Sequence, residues 1–100
     1  MPTFDPVVLS LASVLDINAA APLAAELLAL RGLPVTLDAS STERLGGLCL
    51  QVLLAARSAW ALDGAPFEIA GRSDAFDEAL ELFGAPHLGV PAAPALEAAS

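Results

Sequence analysis

The chain has 100 residues, 56% of them hydrophobic, with twelve acidic residues against four arginines and a net charge of −8. That length holds one small domain with one core, and the lack of a Lys/Arg cluster argues against nucleic acid or an anionic membrane surface as a target. A mean hydropathy of +0.67 raises the question of membrane insertion, but Glu26, Arg31, Gln51 and Arg57 interrupt the apolar runs well short of the roughly 18 residues a spanning helix needs.

In chain order, residues 1–6 read as a loose end. Val7, Leu9 and Leu11 then alternate with Val8, Ser10 and Ala12, the period of a strand covered mainly on one face. Asp16 and Asn18 are helix-start signals, and Pro22 fits a first turn, where its missing N–H is not needed. Leu23, Leu27 and Leu30 recur at helical spacing, with Arg31 near the end and Gly32 as the stop. After Leu33-Pro34, Val35 and Leu37 alternate with Thr36 and Asp38 as a short buried strand. A polar loop over 39–44 leads to Gly46-Gly47, which open a helix apolar almost to Leu62. Asp63-Gly64 makes a turn, and Phe67 and Ile69 mark a third strand with Pro66 at its edge. Ser73 is an N-cap for a helix over 74–83, with Phe76, Leu80 and Phe83 on one face and Asp77, Glu78 and Glu81 outside; Gly84 ends it. Residues 85–100 hold three prolines without a clear period and read as a partly ordered tail. No internal repeat or second domain is visible, so one domain over 1–100 with a core at 7–84 is expected.

Strands alternating with helices predict an α/β fold with at least one parallel pairing. The absence of a basic-then-apolar start argues against a secretory leader. Cys49 is the one cysteine and fits a reducing compartment. Together these predict a cytoplasmic chain without membrane insertion.

The order of strand, hydroxyl-rich loop and glycine-opened helix over 35–56 resembles the signature of the STAS domains, the family of anti-sigma factor antagonists and of sulfate-transporter tails. Asp38-Ala39-Ser40 matches the family's strand end, Leu45 its aliphatic position, and Leu50, Leu53 and Leu54 its helix. Phe67-Glu68-Ile69, Ser73 and Leu80-Glu81-Leu82-Phe83-Gly84 look like its last strand and closing helix. The resemblance implies a small mixed sheet with helices packed against it. Gly46 stands where the family has Asp, and Gly47 where it has the phosphorylated Ser or Thr, so the resemblance implies that this phosphoacceptor is lost.

A 100° step divides the long helix into faces. Leu45, Cys49, Val52, Leu53, Ala56 and Trp60 should lie on the sheet, and Gly47, Gln51, Leu54, Ser58 and Leu62 should face away. Two readings of the outward stripe stand: simple burial under the tail, or a docking face of the kind STAS domains use. The glycines are either small residues that the loop geometry needs or free N–H groups open to an anion or a partner carboxylate. Ser40, Ser41 and Thr42 cap the loop or offer an alternative phosphorylation site; Glu43 and Arg44 are rim charges. The expected partner-binding set is therefore Ser40, Ser41, Thr42, Glu43, Arg44, Gly46, Gly47, Gln51, Leu54 and Ser58.

Catalysis and cofactors find little support. His87, the one histidine, has no partner at metal-ligand spacing, and Cys49 is on an inward face. Gly46-Gly47 lacks the lysine of a nucleotide loop. The resemblance implies an interaction module, first of all an anti-sigma factor antagonist that binds a kinase-type anti-sigma factor. The alternative is the STAS regulatory subunit that clips onto the ATPase of a phospholipid-transport ABC system, or a chemotaxis-associated STAS protein.

Overall fold

The computed structural model describes residues 6–89. Within them run β1 (Val7–Ser10), β2 (Val14–Leu15), α1 (Ile17–Ala29), β3 (Val35–Asp38), β4 (Arg44–Leu45), α2 (Gly47–Asp63), β5 (Phe67–Ala70) and α3 (Asp74–Leu82), then a 3-10 turn, Pro86–Gly89. The expected loose end up to residue 5 and the tail from residue 90 lie outside the described residues.

The main sheet has the order β1-β3-β5. Its register aligns Val7, Val35 and Phe67 in one row and Leu9, Leu37 and Ile69 in another. Because side chains alternate along a strand, both rows point to one face. That face is covered: Val35, Leu37, Phe67 and Ile69 are buried. Strand order that advances steadily in one direction, joined by right-handed crossovers, puts α1 and α2 on that same side, and the two helices pack against each other. Val8, Thr36 and Glu68 form a row on the opposite face, where Val8 and Glu68 are exposed. One correction concerns the sheet: a mixed one was implied, but every pairing among the described residues is parallel.

Local signals explain the ends of the helices. Asp16 caps α1, its Oδ1 accepting from the N–H groups of Asn18 and Ala19 at 3.0 and 3.2 Å. Ser73 caps α3 by accepting from Phe76 N–H at 3.1 Å. Gly64 ends α2 with φ 70°, the left-handed conformation that a side chain would strain.

α2 is enclosed on more sides than its periodicity indicates. Cys49, Leu53, Ala56 and Trp60 are buried as expected, and Leu50 joins them. Val52 and Ala59 are partly buried and line, with Ala24, Leu27 and Leu28 of α1, a cleft of about 240 Å³ between the two helices. The core also runs past 84. Ala85 and Leu88 are buried, and the 3-10 turn packs against α2, α3 and β5. A stretch without period can still carry a core residue, because a single turn needs no repeat to bury one side chain.

Candidate functional site

The site is the loop from Asp38 to the first turn of α2. Asp38 Oδ1 accepts from Ser40 N–H at 3.0 Å, turning the chain off the sheet. That backbone bond holds the Asp38 carboxyl below its usual range. Thr42 Oγ1 donates to Ala12 O at 3.1 Å, and Ser73 Oγ donates to Thr42 O. The loop is thus tied to the segment after β1 and to the start of α3. The N–H groups of Glu43 and Arg44 both point at Ser13 O, at 2.7 and 3.1 Å. This leads into a two-residue parallel ladder, Val14 opposite Arg44 and Leu15 opposite Leu45. Gly46 N–H then donates to Leu15 O at 2.8 Å, and α2 begins.

The two glycines differ. Gly46 is the N-cap of α2, with φ −89° and ψ 166°, and no side chain caps the helix. A Cβ there would sit 3.2 Å from Leu15 O, tighter than ordinary contact. Gly47 is exposed, and a Cβ there would meet the Phe83 ring at 3.7 Å, ordinary contact. Just inside, the Cys49 thiol donates to Asp16 O at 3.2 Å. Burial, and then the Asp16 charge, push its pKa up, the opposite of what a reactive nucleophile needs.

Of the expected set, Ser40, Ser41, Glu43, Arg44, Gly47, Gln51 and Ser58 are exposed, and Gly46 is partly so. Two members need correction. Thr42 is fully buried, its hydroxyl spent on Ala12 O, so it offers neither a contact nor a phosphoacceptor. Leu54 is partly buried and packs against the core. The exposed stripe keeps Gly47, Gln51, Ser58 and Leu62 and takes in Leu48 and Ala55 in place of Leu54, because α2 is packed by the 3-10 turn as well as by α1. The set also omitted Val14, Ile17, Leu82 and Phe83, all exposed apolar residues. Ile17, directly after the Asp16 cap, is the one whose exposure the sequence signals.

No group of His, Cys, Asp and Glu able to hold a metal occurs among the described residues. The side chain of His87 lies outside the described ones. No helix among the described residues is long and apolar enough to cross a membrane.

The family model described as "Mlab, STAS domain" matches residues 2–90. No curated protein and no solved structure matches the chain. The match spans β1 to the 3-10 turn and so takes in the strand, tied loop and glycine-opened helix just described. The chain belongs to the STAS domain family, in its Mlab-type group.

Proposed function

We infer that the protein is a docking module that acts as the STAS regulatory subunit of a transport ATPase, of the phospholipid-transport ABC type. STAS domains bind protein partners, and the observation that favours this partner over a kinase-type anti-sigma factor is the match to the Mlab group across residues 2–90. The geometry of the site agrees. The loop is fastened on three sides by Ala12, Ser13 and Ser73, so the surface at the start of α2 is preorganised and loses little entropy on binding. A side chain at Gly47 would be accommodated beside Phe83, yet there is no hydroxyl to phosphorylate. The added charge of about −1.5 to −2 that would reset such a surface therefore has no acceptor at this position, and the module is not switched there.

The test is titration of the purified chain against three separately purified candidates encoded in its host: the ABC ATPase subunit, a kinase-type anti-sigma factor and a chemotaxis kinase. Saturable binding to the ATPase subunit with a change in its ATP hydrolysis is expected. Binding to the anti-sigma factor alone would return the reading to an anti-sigma factor antagonist, and binding to the kinase alone would make it a chemotaxis component.

A further inference from the structure

The two edges of the main sheet are treated differently. At the β5 edge, Arg72 Nη1 donates to Ile69 O at 3.2 Å, and the 3-10 turn packs against the strand. At the other edge, β1 pairs with β3 alone among the described residues. Val7 and Leu11 N–H donate to Pro34 O and Asp38 O on the β3 side. Backbone groups alternate along a strand, so Val8 and Ser10 aim their N–H and C=O outward. Edge strands are normally blunted by charge, proline or a bulge. Pro6 precedes β1, but residues 7–15 carry no charged side chain, and Val8 is 66% exposed. Beside this edge, between β1 and α1, lies a cleft of about 90 Å³ lined by Leu9, Leu11, Ala19, Pro22, Leu23 and Glu26. No β3 residue lines it, so it lies toward the outer side of β1.

We propose that this edge pairs with the same edge of a second copy, antiparallel about a two-fold axis at Leu9, independently of docking at α2. The outward groups set the register. Val8 of each copy and Ser10 of the other exchange both hydrogen bonds, and the two Leu9 residues stand opposite one another. Opposite residues share a face of the sheet, so the incoming Leu9 arrives on the helix side, beside the cleft. That space equals about three waters at ~30 Å³ each, room for one aliphatic side chain. Charge favours a second copy as the occupant. The net −8 lies away from β1, so two copies meet here without repulsion between the strands, and a basic partner would find no carboxylate on the strand itself. An uncharged row of alternating donors and acceptors is complementary to itself, as a two-fold contact requires. Glu26 is the one charged residue lining the cleft, and the two clefts approach across the seam, so salt should tighten the pair. Four-residue strands bury less than the roughly 1,200 Å² of a stable interface, which makes this a weak dimer.

The test is sedimentation equilibrium of the full chain from about 10 µM to about 1 mM, with amide hydrogen exchange at both ends of that range. A monomer–dimer equilibrium that tightens with salt is expected. The Val8 and Ser10 amides should exchange freely in the monomer and slow down in the dimer. Val8→Pro removes an outward N–H and leaves the ladder to β3 intact, a change that an edge strand tolerates. It should weaken the dimer about tenfold or more, whereas Val8→Thr keeps the N–H and should leave it unchanged. Glu26→Gln should tighten it. The exchange measurement on the unaltered chain stands even if Val8→Pro does not fold. A chain still monomeric at about 1 mM, or a dimer that leaves the two amides unprotected, would overturn the proposal. So would an equally stable dimer of folded Val8→Pro, or amides protected at every concentration, the mark of an edge covered within one chain. Binding to the ATPase subunit bears on the proposed function alone.

Discussion

The two ends of α2 are built on opposite plans. At the last turn, Trp60 Nε1 donates to Leu33 O at 2.7 Å and the indole lies 5.7 Å from the Phe67 ring. Arg31 clasps Asp63 with two bonds of 2.8 and 3.1 Å, and Gly64 closes the helix. At the first turn no side chain caps the backbone, and Leu48 and Phe83 stand exposed beside Gly47. One end spends Trp60, Arg31 and Asp63 on bonds within the domain, with Leu62 left exposed; the other makes no such side-chain bond at its cap. The difference teaches that the axis of α2 is fixed from its last turn, where burial leaves the surface at the first turn unused.

Trp60→Ala should break the comparison most severely. It removes a buried indole and leaves Leu33 O without its donor, for a loss of about 3–5 kcal/mol in urea melts. A loss below about 1 kcal/mol would show that the locked end is not locked. Leu54→Glu comes next. Its partial burial predicts a loss of about 1–3 kcal/mol, whereas Gln51→Arg, one turn earlier on the exposed stripe, should melt like the wild type and change only partner affinity. If Leu54→Glu melted like the wild type, the stripe would be where the sequence put it.

Residues at the free end should be stability-neutral. Gly47→Ser places its Cβ in ordinary contact with Phe83, and Gly46→Asp gains a few tenths of a kcal/mol as a cap against a tight approach to Leu15 O. The double variant should unfold within about 1 kcal/mol of the wild type. It should gain one phosphate by intact mass with an anti-sigma kinase and ATP, where the wild type gains none. Phosphate on Ser40 or Ser41 of the wild type, with loss of binding, would show a switch displaced along the loop.

The smallest effect is at Asp63. Its hydrogen bonds to Arg31 lower its folded pKa, so the stability it adds is present above the unfolded carboxylate pKa of about 3.9 and is lost as pH falls through the lower folded value. Asp63→Asn should therefore melt slightly below the wild type at neutral pH, and the gap should close in acid.

How much of this was legible beforehand follows from the type of signal. Asp16, Ser73 and Gly64 speak through local backbone chemistry, and each helix end they announced is present. The strands at Val35–Asp38 and Phe67–Ala70 followed from alternation. The β2–β4 ladder is two residues long, too short for any period, and exists because Ser13 O collects two N–H groups from across the chain. Thr42 looked like its neighbours Ser40 and Ser41; only its tie to Ala12, 30 residues away, sets it apart. Leu54 was misplaced because a helical wheel knows one partner surface, while α2 has flanks against α1 and the 3-10 turn as well.

The all-parallel pairing also bears on how the chain reaches this state. Val7 meets Val35, Val35 meets Phe67 and Val14 meets Arg44, each about 30 residues along. No described strand can zip onto a neighbour through a tight turn, so the loop-closure cost is paid before any ladder rewards it. The helices are then the local seeds, and α2, which lies in the chain between β4 and β5, is the segment whose early formation would bring the middle and last strands within reach of each other. Slow folding, and transient exposure of bare strand edges in a largely apolar chain, are the kinetic cost of a fold without hairpins in its described sheet.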